Sequence, residues 1–362
     1  MFTNVCIYEG KHNRVGEIDV LVLFSNRAIV LQAKSKKLTI AARKGNDNIL
    51  KDDFKKAVQS AYNQAHQCSM YLLDTDCNLV DGQGNPVVLD QKPKEIYPVC
   101  ILSDHYPSLS FQARQFLQYK TSEVIQAPFV MDIFLLDVMT EMLSNPIYLL
   151  SYVNRRVNYA ERLSSNHELT ILSYHLKQNL WLDQSLDLVQ IGDDVAADLD
   201  LAMIVRRTNV PGPATPPGIL TNYQNTHFGG ILDQLIVSDQ PEVIDITFLL
   251  LKLGSESIEF LNAGLEAMYS GGHTDISLAF KHINSGLTIH CNDDLLEAAS
   301  YKLGQHCELR KYVEHSHYWF GLCISRSNHA IRLGVVMDSP WSYSAKLAQE
   351  TRSMKRSPSH IL

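Results

Sequence analysis

Four side chains near the start of the chain, Glu17, Asp19, Gln32 and Lys34, have the types and spacing that hydrolysis of a phosphodiester requires. Within VGEIDVLVLF, residues 15–24, the two-residue period of a strand puts Glu17 and Asp19 on one face and Ile18, Val20 and Val22 on the other. In RAIVLQAK, residues 27–34, Gln32 and Lys34 likewise share a face. A tight turn at Ser25-Asn26 would pair the two strands and make Asp19 and Gln32 close cross-strand neighbours. Asp19 and the amide oxygen of Gln32 are then hard ligands for Mg²⁺ or Mn²⁺, Glu17 assists, and Lys34 supplies a cation for the charge that builds on phosphorus. Any one of these residues is explained as well by an exposed strand face or a basic loop. Taken together, polar groups facing one way on two apolar strands must share a pocket or be buried at a cost.

The elements that must position these groups are read from periodicity. Residues 5–8, 15–24 and 27–34 read as three consecutive strands, a meander, with Lys11-His12-Asn13 as the first break. A helix is predicted over about 49–73, where Phe54, Val58, Ala61, Ala65, Cys68 and Leu72 recur at steps of three and four. Beside that buried stripe lies a polar one of Lys55, Gln59, Tyr62 or Asn63, and His66. Gly82, Gly84 and Pro86 mark a loop, 96–102 reads as a buried strand rejoining the sheet, and 129–143 as a closing strand and helix.

Between Lys34 and Lys56 there are eight basic residues against three acids, although the whole 362-residue chain carries a net charge of −7. The overall charge excludes a protein that coats nucleic acid indiscriminately. The local excess, just after the candidate site, makes Lys36, Lys37, Arg43, Lys44 and Lys55 the expected contacts to a DNA backbone; a solvated helix face is the plainer alternative.

Beyond residue 155 the signal weakens. Helices are expected near 166–181, 229–237, 241–253, 256–269 and 293–309, and strands near 317–324 and 330–337. Asp193, Asp194, Asp198 and Asp200 read as the polar side of a short helix or turn, and the Pro/Gly-rich stretch 211–218 as a loop. This gives two regions, 1–155 and an α+β region 156–362. A hydrophobic content of 45% is enough to bury real cores, and no apolar run reaches the roughly 18–20 residues of a membrane span. With no signal-like start, a cytoplasmic location and no membrane partner are expected. Seven scattered cysteines without a CxxC pair argue for reduced thiols. His290-Cys291, His306-Cys307, His315 and His317 carry zinc-ligand types, but their spacings fit no compact knuckle.

The string GEIDVLVLFSNRAIVLQAKSKKLT, residues 16–39, resembles the NERD and Mrr-like branch of the PD-(D/E)XK nuclease superfamily. The resemblance implies, over about residues 1–155, a restriction-endonuclease-like α/β fold, a mixed sheet flanked by helices. In it an Asp lies on the second strand and an (E/Q)xK triplet on the third, matched here by Asp19, Gln32 and Lys34. Glu17 fits the E-x-D variant of the pattern, and the resemblance places the helix at 49–73 beside the site, where Gln59 would touch the metal-ligand shell or a DNA phosphate, an ordinary solvated face being the alternative. The family carries a helix before the first strand; this chain starts almost directly on that strand, so either the helix is absent or the sequence is an N-terminally shortened piece. Gln at 32 leaves one fewer negative charge for the metal. The expectation is a Mg²⁺- or Mn²⁺-dependent endonuclease acting on DNA. The alternatives are a binding or scaffold protein on a degenerate nuclease fold, or a front region that delivers a functional C-terminal one to DNA.

Overall fold

The computed structural model describes residues 1–44, 46–104, 106, 109–183 and 185–356. The chain divides into two compact units, 1–222 and 223–362. The first extends well past the expected boundary at 155, which falls inside the helix Pro146–Asn158, and it ends just after the irregular 211–218 stretch.

In the first unit, the strands β1 (Phe2–Glu9), β2 (Asn13–Phe24) and β3 (Arg27–Lys34) form the expected antiparallel meander. The 77–87 segment is more than a loop. Strands β4 (Cys77–Val80) and β5 (Pro86–Val87) make a hairpin on the free side of β1, because Asp81 accepts the backbone N–H groups of Gln83 and Asn85 and Gly84 takes φ 87°. On the other side β6 (Glu95–Leu102) and β7 (Phe129–Asp132) run parallel to β3. The result is a mixed seven-stranded sheet in the order β5-β4-β1-β2-β3-β6-β7.

The crossover from β3 to β6 carries the helical segment expected at 49–73: Asp47–Phe54, a π-helical turn Lys55–Gln59, then Ser60–Tyr71. Its buried stripe of Phe54, Val58, Ala61, Ala65, Cys68 and Leu72 is the predicted one. Ala65, Cys68 and Leu72 pack in one core cluster with Val5, Ile7, Ile18, Leu21, Ala28 and Val30. The parallel register of β3 and β6 is pinned by Arg27, only 2% exposed, whose Nε donates to Glu95 Oε2 at 3.1 Å directly opposite. Burying a guanidinium is tolerable only with such a partner. A short parallel pair, β8 (Leu163–Ser164) and β9 (Val189–Gln190), and the helices Glu168–Gln178 and Ala197–Thr208 complete the unit. The acids at 193–200 lie on a 3₁₀ turn and the start of that last helix, close to expectation.

The second unit has helices His227–Leu235, Pro241–Leu251 and Ser255–Tyr269, then a four-stranded sheet of β10 (Asp275–Phe280), β11 (Ser285–Cys291), β12 (Tyr318–Ile324) and β13 (Ile331–Met337). Strands β11 and β12 are parallel, joined by the helix Leu296–Glu314. Periodicity does not separate β10 and β11, since every residue of β11 is buried and alternation vanishes. All seven cysteines are unbridged and five are buried. No helix among the described residues is long and apolar enough to cross a membrane.

Candidate active site

Strands β2 and β3 pair only from Val20↔Leu31 to Phe24↔Arg27. Beyond that point they part, β2 continuing against β1 and β3 against β6. Asp19 and Gln32 are the first residues past the last pair, so they face each other at the mouth of a fork in the sheet. The Asp19 carboxylate takes over where the backbone ladder stops, its Oδ2 accepting the Ala33 N–H at 2.7 Å. The strand beside it is irregular at the same level: Asn4, between the pairs Thr3↔Val20 and Val5↔Ile18, adopts φ 50°. Asn tolerates that left-handed conformation better than most residues, and such kinks collect at functional sites.

This irregularity corrects the simple alternation expected for β2. Ile18 and Leu21, three residues apart, are both fully buried in the same core cluster, so the side-chain phase shifts between them. Glu17 does not join Asp19. Its carboxylate pairs with Arg14 and its side chain is 41% exposed.

What Glu17 contributes is its backbone oxygen. Released from the ladder, it collects three donors: Gln32 Nε2 at 2.7 Å, Gln64 Nε2 at 3.2 Å and the Cys68 thiol at 3.3 Å. Burial pushes the Cys68 pKa up to about 11, which keeps the thiol protonated and a donor. Since Glu17 O can only accept, Gln32 must turn its amide nitrogen toward it. The Gln32 Oε1 is thereby left buried with no hydrogen-bond partner among the described residues. Gln64 uses its other end on Lys34, whose Nζ donates to Gln64 Oε1 at 2.9 Å. The structure therefore gathers Asp19, Gln32 and Lys34 with Gln64 around the fork.

Sequence reasoning misses Gln64 and expects Gln59 in its place. Gln59 instead clamps the backbone of Gln118, donating to its oxygen at 2.8 Å and accepting its N–H at 3.0 Å. Tyr62, expected on the polar stripe, is buried and bonds in the same way to the backbone of Lys120. The π-helical turn adds a residue ahead of Ser60 and re-aims the side chains of the helix beyond it. The one available signal for Gln64 is its place beside Ala65 and four residues before Cys68 on the buried stripe.

Of the basic stretch, Lys37, Lys44 and Lys55 are exposed, whereas Lys36 pairs with the buried Asp53 at 3.2 Å. Burial works against charge on Asp53, but hydrogen bonds from Thr39 and the Lys36 ammonium outweigh it and hold its pKa below the ordinary value. Lys36 thus anchors the start of the crossover. The helix Ile40–Arg43 includes Arg43, whose side chain lies outside the described residues. Among the described residues no group of three or more His, Cys, Asp or Glu side chains is arranged to hold a metal ion, and Asp19 with Gln32 stays a pair of one carboxylate and one amide. Among the described residues His290, Cys291, His306, Cys307, His315 and His317 form no zinc set; His290 binds Asp275, and the His315 ring packs at a tilt against Trp341.

Comparison with family models, with curated proteins and with solved structures finds no match to the chain.

Proposed function

We propose that the fork in the first unit is the site of a Mg²⁺- or Mn²⁺-dependent endonuclease that hydrolyses phosphodiester bonds of DNA. The observation that carries this reading is the buried Gln32 Oε1 with no partner among the described residues, on the position across from Asp19 where the two strands part. An unpartnered buried amide oxygen costs about 1–3 kcal/mol, a cost that a bound cation removes. The donor set suits a hard ion, which is commonly held by one or two protein oxygens with water and phosphate oxygens filling the remaining positions. Further support comes from the order of meander, helix and parallel strand, which is that of the restriction-endonuclease-like core in the NERD and Mrr-like resemblance.

Bound there, the ion would polarise the phosphate and lower the pKa of a bound water. Asp19 and Gln32 would hold it. Lys34, oriented by Gln64, would place its ammonium against the negative charge that grows on the phosphate oxygens. Lys37, Lys44 and Lys55 offer exposed positive charge for the flanking backbone.

A second reading, a DNA-binding or scaffold protein on a degenerate nuclease fold, is favoured by the pairing of the Glu17 carboxylate with Arg14, which leaves Asp19 as the fork's acid. Calorimetric titration with Mn²⁺ and conversion of supercoiled plasmid separate the two. The wild type is expected to bind Mn²⁺ and cut. Lys34→Ala should bind Mn²⁺ as tightly and cut about 100-fold more slowly, the effect of losing one stabilising charge. A wild type that binds DNA but neither binds Mn²⁺ nor cuts leaves the scaffold reading.

A further inference from the structure

In the second unit, Asp275 and Ser277 alternate along β10, the edge strand of the four-stranded sheet, so both side chains point to one face. The helix Leu296–Glu314 covers that face, since Ala279 on the same strand packs with its Ala299, Leu303 and Cys307. From this helix His306 reaches down between the two polar residues. Its Nε2 lies 3.3 Å from Ser277 Oγ and its Nδ1 3.6 Å from Asp275 Oδ1. All three side chains are partly exposed.

The surrounding hydrogen bonds allow a relay of protons toward His306. Trp319 Nε1–H can only donate, and does so to Thr288 Oγ1 at 2.9 Å. Thr288 Oγ1 lies 3.0 Å from Ser277 Oγ, either hydroxyl able to donate, and Ser277 Oγ–H can donate to His306 Nε2. The other ring nitrogen of His306, Nδ1, then faces Asp275. The carboxylate is shared: His290 Nδ1 lies 2.7 Å from the same oxygen, while its Nε2 accepts from Asn292 Nδ2 at 3.1 Å. His290 thus positions Asp275. Arg310, one turn along the helix from His306, holds a buried Nε–H without a hydrogen-bond partner among the described residues.

We propose that Ser277, His306 and Asp275 form a second catalytic centre, separate from the fork, that cleaves carboxylic esters through an acyl-serine. A hydroxyl beside an imidazole that is itself oriented by a carboxylate is the arrangement that activates an oxygen nucleophile, and such contacts are commonly loose before substrate binds. Ser277 Oγ forms a bond to the acyl carbon as its proton passes to His306 Nε2. The ester C–O bond breaks and the alcohol leaves with that proton. Water, losing a proton to His306, then attacks the acyl-serine, releasing the acid and returning the proton to Ser277. Burial holds the His306 pKa below its ordinary value; the Asp275 charge opposes this, and Arg310 and His290 add to it. The ring is therefore neutral at pH 7 and able to take the proton. Burial works to raise the Asp275 pKa, but the His290 hydrogen bond, and His306 when protonated, outweigh it and hold it below the ordinary carboxylate value.

The test is covalent labelling of the full chain with a tagged fluorophosphonate, with the adduct located by peptide mass spectrometry. The expected result is one adduct on Ser277, formed at a rate that falls as pH drops through the titration of His306, below the ordinary histidine value of about 6.5. His306→Gln should slow labelling about 100-fold, in the range of general-base contributions, and its thermal midpoint checks that the fold persists. Lys34→Ala should label at the wild-type rate, which keeps the outcome independent of the fork. No adduct on Ser277, or a rate that is flat with pH between about 5 and 8, the range in which an imidazole titrates, overturns the proposal without any variant needing to fold.

Discussion

Asp19 is held by one contact that does not need its charge, the N–H of Ala33. Asp19→Asn can still accept that hydrogen bond through its amide oxygen, while losing the charge that a divalent ion requires. Mn²⁺ affinity by calorimetry should therefore fall at least tenfold, with a loss of about 1 kcal/mol in stability as a charge-assisted bond becomes a neutral one. Relief of repulsion between two neighbouring acids would give a gain instead, but Glu17 is already paired with Arg14. Gln64 is the complementary test. Gln64→Leu removes the acceptor that aims Lys34 and one of three donors to Glu17 O, so turnover on plasmid should drop while Mn²⁺ affinity stays near that of the wild type. Equal losses of metal binding and turnover would show that Gln64 supports the fold rather than Lys34.

At the scale of elements, the helices Pro146–Asn158 and Glu168–Gln178 enclose buried polar atoms without a hydrogen-bond partner among the described residues. His175 is fully buried, its two ring nitrogens have no hydrogen-bond partner among the described residues, and the Tyr152 ring lies 4.8 Å away. Burial, with the nearby Arg155 charge, holds its pKa well below the ordinary 6.5. The unfolded chain therefore takes up a proton that the folded chain refuses, so stability present above about pH 6.5 is lost as pH falls toward the folded value. The slope approaches about 1.4 kcal/mol per pH unit. Thermal midpoints at about pH 7.5 and 5.5, one unit to either side of that value, should differ by less in His175→Phe than in the wild type; equal differences would show that other groups set the acid response. In the second unit, Gly286 on β11 lies under Trp319 on β12, and a Cβ there would stand 2.1 Å from Trp319 Cζ3. Gly286→Ala should destabilise by about 1–3 kcal/mol. It should also slow labelling of Ser277, because a displaced Trp319 no longer directs Thr288.

For the molecule as a whole, with a net charge of −7, the proposed function makes the basic stretch after the fork the surface that would hold DNA. Replacing Lys37, Lys44 and Lys55 together by Ala should weaken DNA binding and make its salt dependence shallower by about one unit of slope for each phosphate left without its lysine, with an unchanged thermal midpoint. Lys36 belongs to a different group. Its ion pair with the 2%-exposed Asp53 predicts that Lys36→Ala lowers stability, since a buried carboxylate loses its cation. A salt slope identical in the triple variant and the wild type would make the three lysines a solvated face.

Local pattern is sufficient for the meander, the β6 strand and the helical crossover, because strand alternation and the three-to-four spacing of Phe54 through Leu72 are short-range consequences of which faces are buried. It is also sufficient to pick out Asp19, Gln32 and Lys34 as polar groups set into apolar strands. Tertiary structure alone decides the rest. The phase of β2 changes at Asp19 because the strand meets an irregular neighbour at Asn4 and an open fork toward β3, and no two-residue period registers that. Gln64 replaces Gln59 because a π-helical turn re-aims the helix. Asp275 and Ser277 come from β10, a short strand next to the fully buried β11, and His306 from a helix residue 29 positions away from Ser277, a proximity that only packing creates.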